Sequence, residues 1–475
     1  AKSLNVPVYV ATNLIESMVE NPEPTRAEIN DIVQTLNSGA DGLVLAAESA
    51  IGSYPIECVR LISCLIKEID QKPKDIKLEY LINPHSESII PPHGGHLVQQ
   101  LIQDEINVDE LPLIEVNEKI ESDVIQITNG TYSPLDRFMN LDELQLVLDN
   151  NELRDGINWT MPILMQLNQV DKIESINNER IGLKSKQTNQ VFAIVKIEKI
   201  EKIKGIHKIA KDWFGTDNVE HPGVKQFINN GSFIISGKPY LIEKNKPVSI
   251  PNYELTPVQS RTLFSLFRWQ DIIGFHTRNV PHSAHEYIQK KALIETNADA
   301  IFISPVTGLK KRGDFSSNPI IDCYNTLINK GIYEPFGAII GAFNTYSRYC
   351  GPREAVFTAI CRKNFGCNSF IIGRDHTGVG NFYSANASQN IFRNINLGMN
   401  ILMFDNAFYS NESKKIKLDA KTDDLVSNGN KEISGTVIRN LLLNGNKIPK
   451  YLMRKDIAQY LTRLYNISPE SVFEQ

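Results

Sequence analysis

The stretch that most constrains this chain is Ile272-Ile273-Gly274-Phe275-His276-Thr277-Arg278-Asn279-Val280-Pro281-His282-Ser283-Ala284-His285-Glu286-Tyr287. A short apolar run breaks at a glycine, passes through Arg278 and Asn279, and opens into a helical pattern that carries His282 and His285 three residues apart. It reads as a strand, a turn and a helix N-terminus. Such a turn presents unpaired backbone N–H groups and the positive end of a helix dipole. Here it adds an arginine and two imidazoles, so the expected ligand is an anion, a nucleotide phosphate. Two other readings stand beside it: His-x-x-His on one helical face is also half of a zinc site, or a pair packed for structure. Zinc would need further ligands at suitable spacing, and the six cysteines (Cys58, Cys64, Cys323, Cys350, Cys361 and Cys367) form no C-x-x-C pair. No metal ligand is therefore assigned.

The surroundings of this stretch, residues 251–410, alternate helices and strands. Leu255-Thr256-Pro257 opens a helix with Thr256 as cap and Pro257 at its first position. Ala300-Ile301-Phe302-Ile303 and Ser369-Phe370-Ile371-Ile372-Gly373 are short apolar runs bounded by turn signals, as expected of central parallel strands. Each ends in polar residues. Ligands of an open α/β sheet bind beyond the carboxyl ends of its strands, so residues 276–285, 307–314 and 374–380 are expected to converge on one crevice. Lys310, Lys311 and Arg312 lie on a Gly-flanked stretch that reads either as a lid closing on anions or as a solvated loop.

At 475 residues the chain has room for two to four domains. Its net charge of −5 offers no general attraction to nucleic acid or to an acidic membrane, so no nucleic-acid or membrane partner is expected. No apolar run reaches the length of a membrane span and no signal peptide opens the sequence, and the cysteines show no disulfide framework, so a reducing cytoplasm is the expected compartment. Sequons such as Asn129-Gly130-Thr131 read as chance matches. Residues 1–72 contain a βαβ unit: Pro7-Val8-Tyr9-Val10-Ala11 as a buried strand, a helix capped by Thr25, and Asp41-Gly42-Leu43-Val44-Leu45 as a second strand. Residues 73–88, polar and proline-containing, read as a linker. Short alternating runs from 89 to 250 predict a mainly β domain, in which the Lys-Ile-Glu-Lys-Ile pattern between Lys196 and Lys204 is a strand with one wet face.

Two resemblances add to this reading. Val10-Ala11-Thr12-Asn13-Leu14-Ile15-Glu16-Ser17-Met18, Pro24-Thr25-Arg26-Ala27-Glu28, Gly39-Ala40-Asp41-Gly42 and Glu48-Ser49-Ala50-Ile51-Gly52-Ser53-Tyr54-Pro55 resemble the last part of the pyruvate kinase (β/α)₈ barrel. The family's metal-binding carboxylates and catalytic lysine lie upstream of that segment, and its Ser-Gly-Glu-Thr turn reads Ala46-Ala47-Glu48-Ser49, so no kinase activity is expected. Ala1 is not an initiator methionine, which fits a piece of a longer polypeptide.

From Ile89 to about Asn466 the chain resembles ATP sulfurylase (sulfate adenylyltransferase). The motifs stand in family order: Pro92-His93-Gly94-Gly95, Tyr132-Ser133-Pro134-Leu135-Asp136-Arg137-Phe138-Met139, Phe214-Gly215-Thr216 with His221-Pro222-Gly223-Val224, and the opening stretch. Then come Arg348-Tyr349-Cys350-Gly351-Pro352-Arg353-Glu354-Ala355, Gly373-Arg374-Asp375-His376-Thr377-Gly378-Val379-Gly380 and Ile433-Ser434-Gly435-Thr436-Val437-Ile438-Arg439. The resemblance implies a PUA-like β domain, a parallel-sheet adenylyltransferase domain that binds ATP, and a small C-terminal helical part. It implies formation of adenylyl sulfate and pyrophosphate from ATP and sulfate, with Mg²⁺ accompanying the nucleotide and a homo-oligomer among the assembly states open to it. It implies that Arg278, His282, His285 and Arg374 are the catalytic set, that Thr277, Asn279, Gly373, Asp375 and His376 join the histidines around ATP, and that His276, Arg278, Arg374 and Thr377 face the acceptor.

Four positions depart from the family's pattern, and two of them, His276 and Thr377, are the ones nearest the acceptor. The family's first motif begins with glutamine and this chain has His276; the proline after Arg-Asn is Val280; the residue after the first motif histidine, often arginine, is Ser283; and the second motif's alanine is Thr377. A glutamine-to-histidine change keeps one N–H donor, which leaves sulfate open as acceptor and leaves a different oxyanion or a silent homologue as alternatives. From another class, a PUA-type nucleic-acid module is open too, against the acidic balance of the chain.

Overall fold

The computed structural model describes residues 6–11, 14–70, 89–102, 108, 110–168, 179–247, 250, 252–373, 379–384, 386–419 and 430–474. The chain divides into two compact units, Ala1–Ile82 and Asn83–Gln475. The expected linker, 73–88, lies outside the described residues.

In the leading unit, β1 (Tyr9–Ala11) and β2 (Gly42–Val44) pair in parallel. The helix Arg26–Asn37 joins them, its N-terminus held by a reciprocal capping box between Thr25 and Glu28. That is the expected βαβ unit, with one correction. The first strand is not buried: Tyr9 is 67% exposed, and Val44 beside it 43%. Two strands cannot cover both of their own faces, and the apolar side chains that do bury, Leu14, Ile15, Met18, Ile32, Cys58 and Ile62, come mostly from the helical segments.

The second unit begins with a sheet of β3 (Leu101–Ile102), β4 (Leu113–Val116), β5 (Met165–Leu167), β6 (Arg180–Ser185), β7 (Val191–Lys202) and β8 (Phe233–Ile242). Their order is β3-β8-β7-β6-β4, with β5 on β8. Lys196, Glu198, Lys199 and Lys202 on β7 are exposed, so that strand does have a wet face. The expectation of a mainly β domain needs amending. Four helices, Glu118–Thr128, Leu141–Asn150, Ile206–Phe214 and Pro222–Asn229, accompany the strands. Asn117 and Asn140 cap the first two, and Leu144, Val147 and Leu148 bury at helical spacing, a period the short alternating runs nearby obscure.

Next comes a five-stranded parallel sheet of β9 (Ile272–Thr277), β10 (Ala300–Pro305), β11 (Gly337–Ile340), β12 (Ser369–Gly373) and β13 (Asn400–Phe404), in the order β11-β10-β9-β12-β13. β9 is central. Alternation along the strands sends Ile272 and Phe302 into one core, shared with the β domain, and Ile273, Phe275, Ile301 and Ile303 into another. That second core is completed from the C-terminal part by Ile438, Leu452 and Leu461. The C-terminal part is not purely helical. Besides the helices Gly435–Leu443 and Lys455–Ile467, it places β15 (Lys415–Asp419) and β16 (Lys431–Glu432) antiparallel to β14 (Asn406–Ser410). No helix among the described residues is long and apolar enough to cross a membrane.

Candidate active site

β9 delivers Thr277 to the carboxyl edge of the sheet, and the chain turns there. The Thr277 hydroxyl accepts from Asn279 N–H at 3.1 Å and donates to its carbonyl at 3.2 Å, which fixes the turn. Val280 is fully buried in the core, so that departure from the family pattern is an apolar packing residue. The helix Ser283–Thr296 begins immediately afterwards. His282 is its N-cap rather than a residue on its face: Nδ1 accepts from the His285 N–H at 3.3 Å, which leaves the ring proton on Nε2.

The two imidazoles stack with centroids 3.7 Å apart, Phe275 packs edge-on to His285, and His285 Nδ1 lies 3.2 Å from the buried Tyr324 hydroxyl. Burial draws the His282 imidazole down to about 4; burial and the neighbouring His282 together hold His285 well below its ordinary value. Both rings are neutral at neutral pH. They can offer N–H donors to an anion, while the positive charge of this turn comes from Arg278, which is exposed.

Two further segments back the turn. A Cβ added at Gly435 would come within 2.5 Å of Asn279 Oδ1, so the start of the helix Gly435–Leu443, capped by Ser434, is packed against it. On another side lie Tyr349 and the buried Glu354, both close enough for the Arg278 charge to act on them. Glu354 is raised by burial, and it accepts from the Arg348 and Cys350 N–H groups at 2.9 and 3.1 Å, which opposes the rise.

At the carboxyl end of β9, His276 Nδ1 is 2.6 Å from Nη2 of Arg362, a fully buried residue that sequence reading passed over. In sequence, Arg362-Lys363 looks like the ordinary basic last turn of the helix Pro352–Phe365. The available signal was Gly274, an isolated glycine within a strand. A Cβ there would fall 2.8 Å from Arg362 Cγ, because the arginine stem crosses β9 at that point. Tyr324 was likewise missed, being indistinguishable in sequence from any core tyrosine.

Gly373 closes β12, with nothing among the described residues within 4 Å of an added Cβ. Arg374, Asp375, His376 and Thr377 lie outside the described residues. Of the expected lid, Lys310 is anchored: its ammonium donates to the Phe315 carbonyl at 3.0 Å and to Ser317 Oγ at 2.9 Å, and burial draws it down to about 8. Lys311 and Arg312 are exposed, and the loop is tied to the C-terminal segment through Gly313 and Asp314, which bond Glu474. Ser283 lines a cleft of about 560 Å³ together with Lys290, Lys450 and Arg454. Among the described residues no three His, Cys, Asp or Glu side chains form a metal-binding group.

The arrangement suits the gathering of anions at a strand–helix turn, and comparisons with known proteins point the same way. Residues 251–464 match the family model described as ATP-sulfurylase, residues 90–244 that of a PUA-like domain, and residues 1–59 that of the pyruvate kinase barrel domain. A sulfate adenylyltransferase of Synechococcus sp. (strain JA-3-3Ab) is 35% identical over 382 residues, covering 78% of this chain and 95% of that protein. One from Pyrococcus abyssi (strain GE5 / Orsay) is 34% identical over 382 residues, covering 79% and 98%. Among solved structures, the hexameric APS kinase from Thiobacillus denitrificans superposes with a TM-score of 0.61 at 17% identity, over 80% of this chain and 69% of that one, a likeness of fold alone.

Proposed function

The chain belongs to the ATP-sulfurylase family, and from that premise we propose how its own residues carry the reaction. It is an enzyme, a nucleotidyltransferase that transfers the adenylyl group of ATP to sulfate and releases pyrophosphate. A sulfate oxygen attacks the α-phosphorus; the new P–O bond forms as the bond to the bridging oxygen of the β-phosphate breaks, and its electron pair leaves with pyrophosphate. Sulfate is already ionised, so no general base is needed. Catalysis consists of bringing two anions together and meeting the charge that builds at the phosphorus.

The observation that carries the residue assignment is the pair of stacked, neutral imidazoles at the start of the helix Ser283–Thr296, His282 buried and His285 half-buried. His282 donates from Nε2 to the ATP phosphates, His285 stands beside it, and Arg278 supplies the cation shared by phosphates and sulfate. Thr277, Asn279, Gly373, Asp375 and His376 complete the nucleotide side, and His276, Arg374 and Thr377 the acceptor side. Mg²⁺ would accompany ATP and would offset charge on its phosphates. Lys311 and Arg312 are the exposed cations of the loop beside the site. We divide the chain into the barrel-like 1–72, the linker 73–88, the PUA-like 89–250, the catalytic 251–410 and the C-terminal 411–475, and we expect no contribution from 1–72 to turnover.

The departures at His276 and Thr377 make acceptor choice the property to test. Pyrophosphate release from Mg²⁺-ATP is measured with sulfate and with a panel of other oxyanions. Saturation with sulfate and formation of adenylyl sulfate is the expected result. Release with another oxyanion and none with sulfate would overturn the acceptor assignment, and the variant His276→Gln with Thr377→Ala would then be expected to gain sulfate use.

A further inference from the structure

Arg362 is buried in an unusual way. Its stem passes β9 where Gly274 leaves room, and its guanidinium, 0% exposed, lies over the Phe343 ring with Cζ 4.5 Å from the centroid. One nitrogen, Nη2, makes every hydrogen bond found for it: to His276 Nδ1 at 2.6 Å, to Ser304 Oγ at 2.9 Å and to the Ser304 carbonyl at 3.4 Å. Nε and Nη1 have no partner among the described residues. Burial draws the group down to about 10, so it stays charged at neutral pH. A buried cation with no carboxylate against it among the described residues is costly, and such a cost is tolerated where the charge has work to do.

The work is legible from the geometry. A guanidinium has no acceptor, so the contact makes His276 Nδ1 the acceptor and leaves the ring proton on Nε2. His276 ends up with one fixed tautomer, set by a group behind it, at the carboxyl end of the central strand. We propose that Arg362 is a positioning and specificity-determining residue for the acceptor. It holds His276 as a neutral, singly oriented Nε2–H donor and lends the pocket an unneutralised positive charge, for which an oxyanion is the complement. A histidine thereby does what a side-chain amide could do in its place, since Arg362 would bind a glutamine carbonyl and turn its N–H toward the anion. This rests on the acceptor reading above.

The test replaces Arg362 by Met and by Lys and follows KM for sulfate and for Mg²⁺-ATP separately, with the tautomer of His276 read from ¹⁵N-imidazole shifts assigned by His276→Gln. Arg362→Met is expected to raise KM for sulfate about 10- to 100-fold, as for loss of a hydrogen bond to a charged group, with KM for ATP unmoved. Arg362→Lys recovers part of the loss. An unchanged KM for sulfate, or an equal rise for both substrates, would overturn the proposal. Should Arg362→Met fail to fold, the wild-type ring decides: Nε2–H alone from pH 6 to 8 supports it, and Nδ1–H or a doubly protonated ring refutes it. A wild-type protein that does not use sulfate would sink the acceptor assignment, while the ring measurement still judges the Arg362 contact.

Discussion

Two buried arginines in the second unit are treated in opposite ways. Where the PUA-like domain meets the parallel-sheet domain, Arg348 has a carboxylate: Nη2 bonds Asp123 Oδ1 at 2.5 Å and the Tyr132 hydroxyl at 2.8 Å, Nη1 bonds the Tyr346 hydroxyl at 2.6 Å, and the Tyr346 ring lies 4.2 Å from Cζ. Burial would lower it, yet the Asp123 charge prevails and holds it well above the ordinary arginine value. Arg362 has a histidine, a serine and no carboxylate among these contacts, and two idle N–H groups against one for Arg348. A neutralised buried charge joins domains; an unneutralised one at the end of a strand awaits an anion.

The largest effect is expected on the joining side. Arg348→Met strips the buried Asp123 of its guanidinium and leaves the carboxylate to the Tyr132 and Tyr346 hydroxyls, which costs about 3–5 kcal/mol, read as a drop in the urea midpoint of unfolding. Michaelis constants of the folded remainder should not move. A variant with normal stability and altered KM would invert the comparison.

On the anion side the order reverses. Arg278→Ala should cut pyrophosphate release by about 10²–10³, as when a donor to transition-state charge is removed, and leave the midpoint unchanged because the side chain is exposed.

Acid should separate the regions by a smaller margin. Burial holds both His93, in the interdomain junction, and His282, in the site, near 4 when folded, against about 6.5 when unfolded. A folded value below the unfolded one means no effect above about pH 6.5 and stability lost as pH falls from there toward 4. The histidine contribution to the melting temperature should therefore be level from pH 7 to 8 and decline below 6. The rate should show no imidazole ionisation between 6 and 8; a step there breaks the neutral-donor reading.

The smallest effect is the N-cap. His282→Ala loses about 1 kcal/mol of helix capping, which His282→Asn restores, while both lose the Nε2 donor. Equal rate losses with unequal midpoints would separate cap from donor; recovery of both in the Asn variant would reduce His282 to a cap.

Much of this was legible in sequence for local reasons. The strand, turn and helix around Arg278 announce themselves through composition within sixteen residues, and Thr25 and Thr256 mark their helices through capping chemistry that needs no tertiary context. What escaped depends on distant partners. Arg362 reaches His276 across 86 positions, and Asp123 reaches Arg348 across 225. The helix Pro352–Phe365 that carries Arg362 is buried nearly throughout, so no polar face marks which of its polar residues matter. In the leading unit the apolar strand pattern is that of a closed barrel, and it overstates burial where the described residues hold only two strands.

The central claim is that this turn brings ATP and sulfate together. It is tested most directly by titrating sulfate into Mg²⁺-ATP with the purified chain and with Arg278→Ala, measuring pyrophosphate and adenylyl sulfate together. Saturating, one-to-one formation of both products by the wild type and near silence in the variant is the predicted result. Sulfate-independent release, or equal rates in the two proteins, would contradict it.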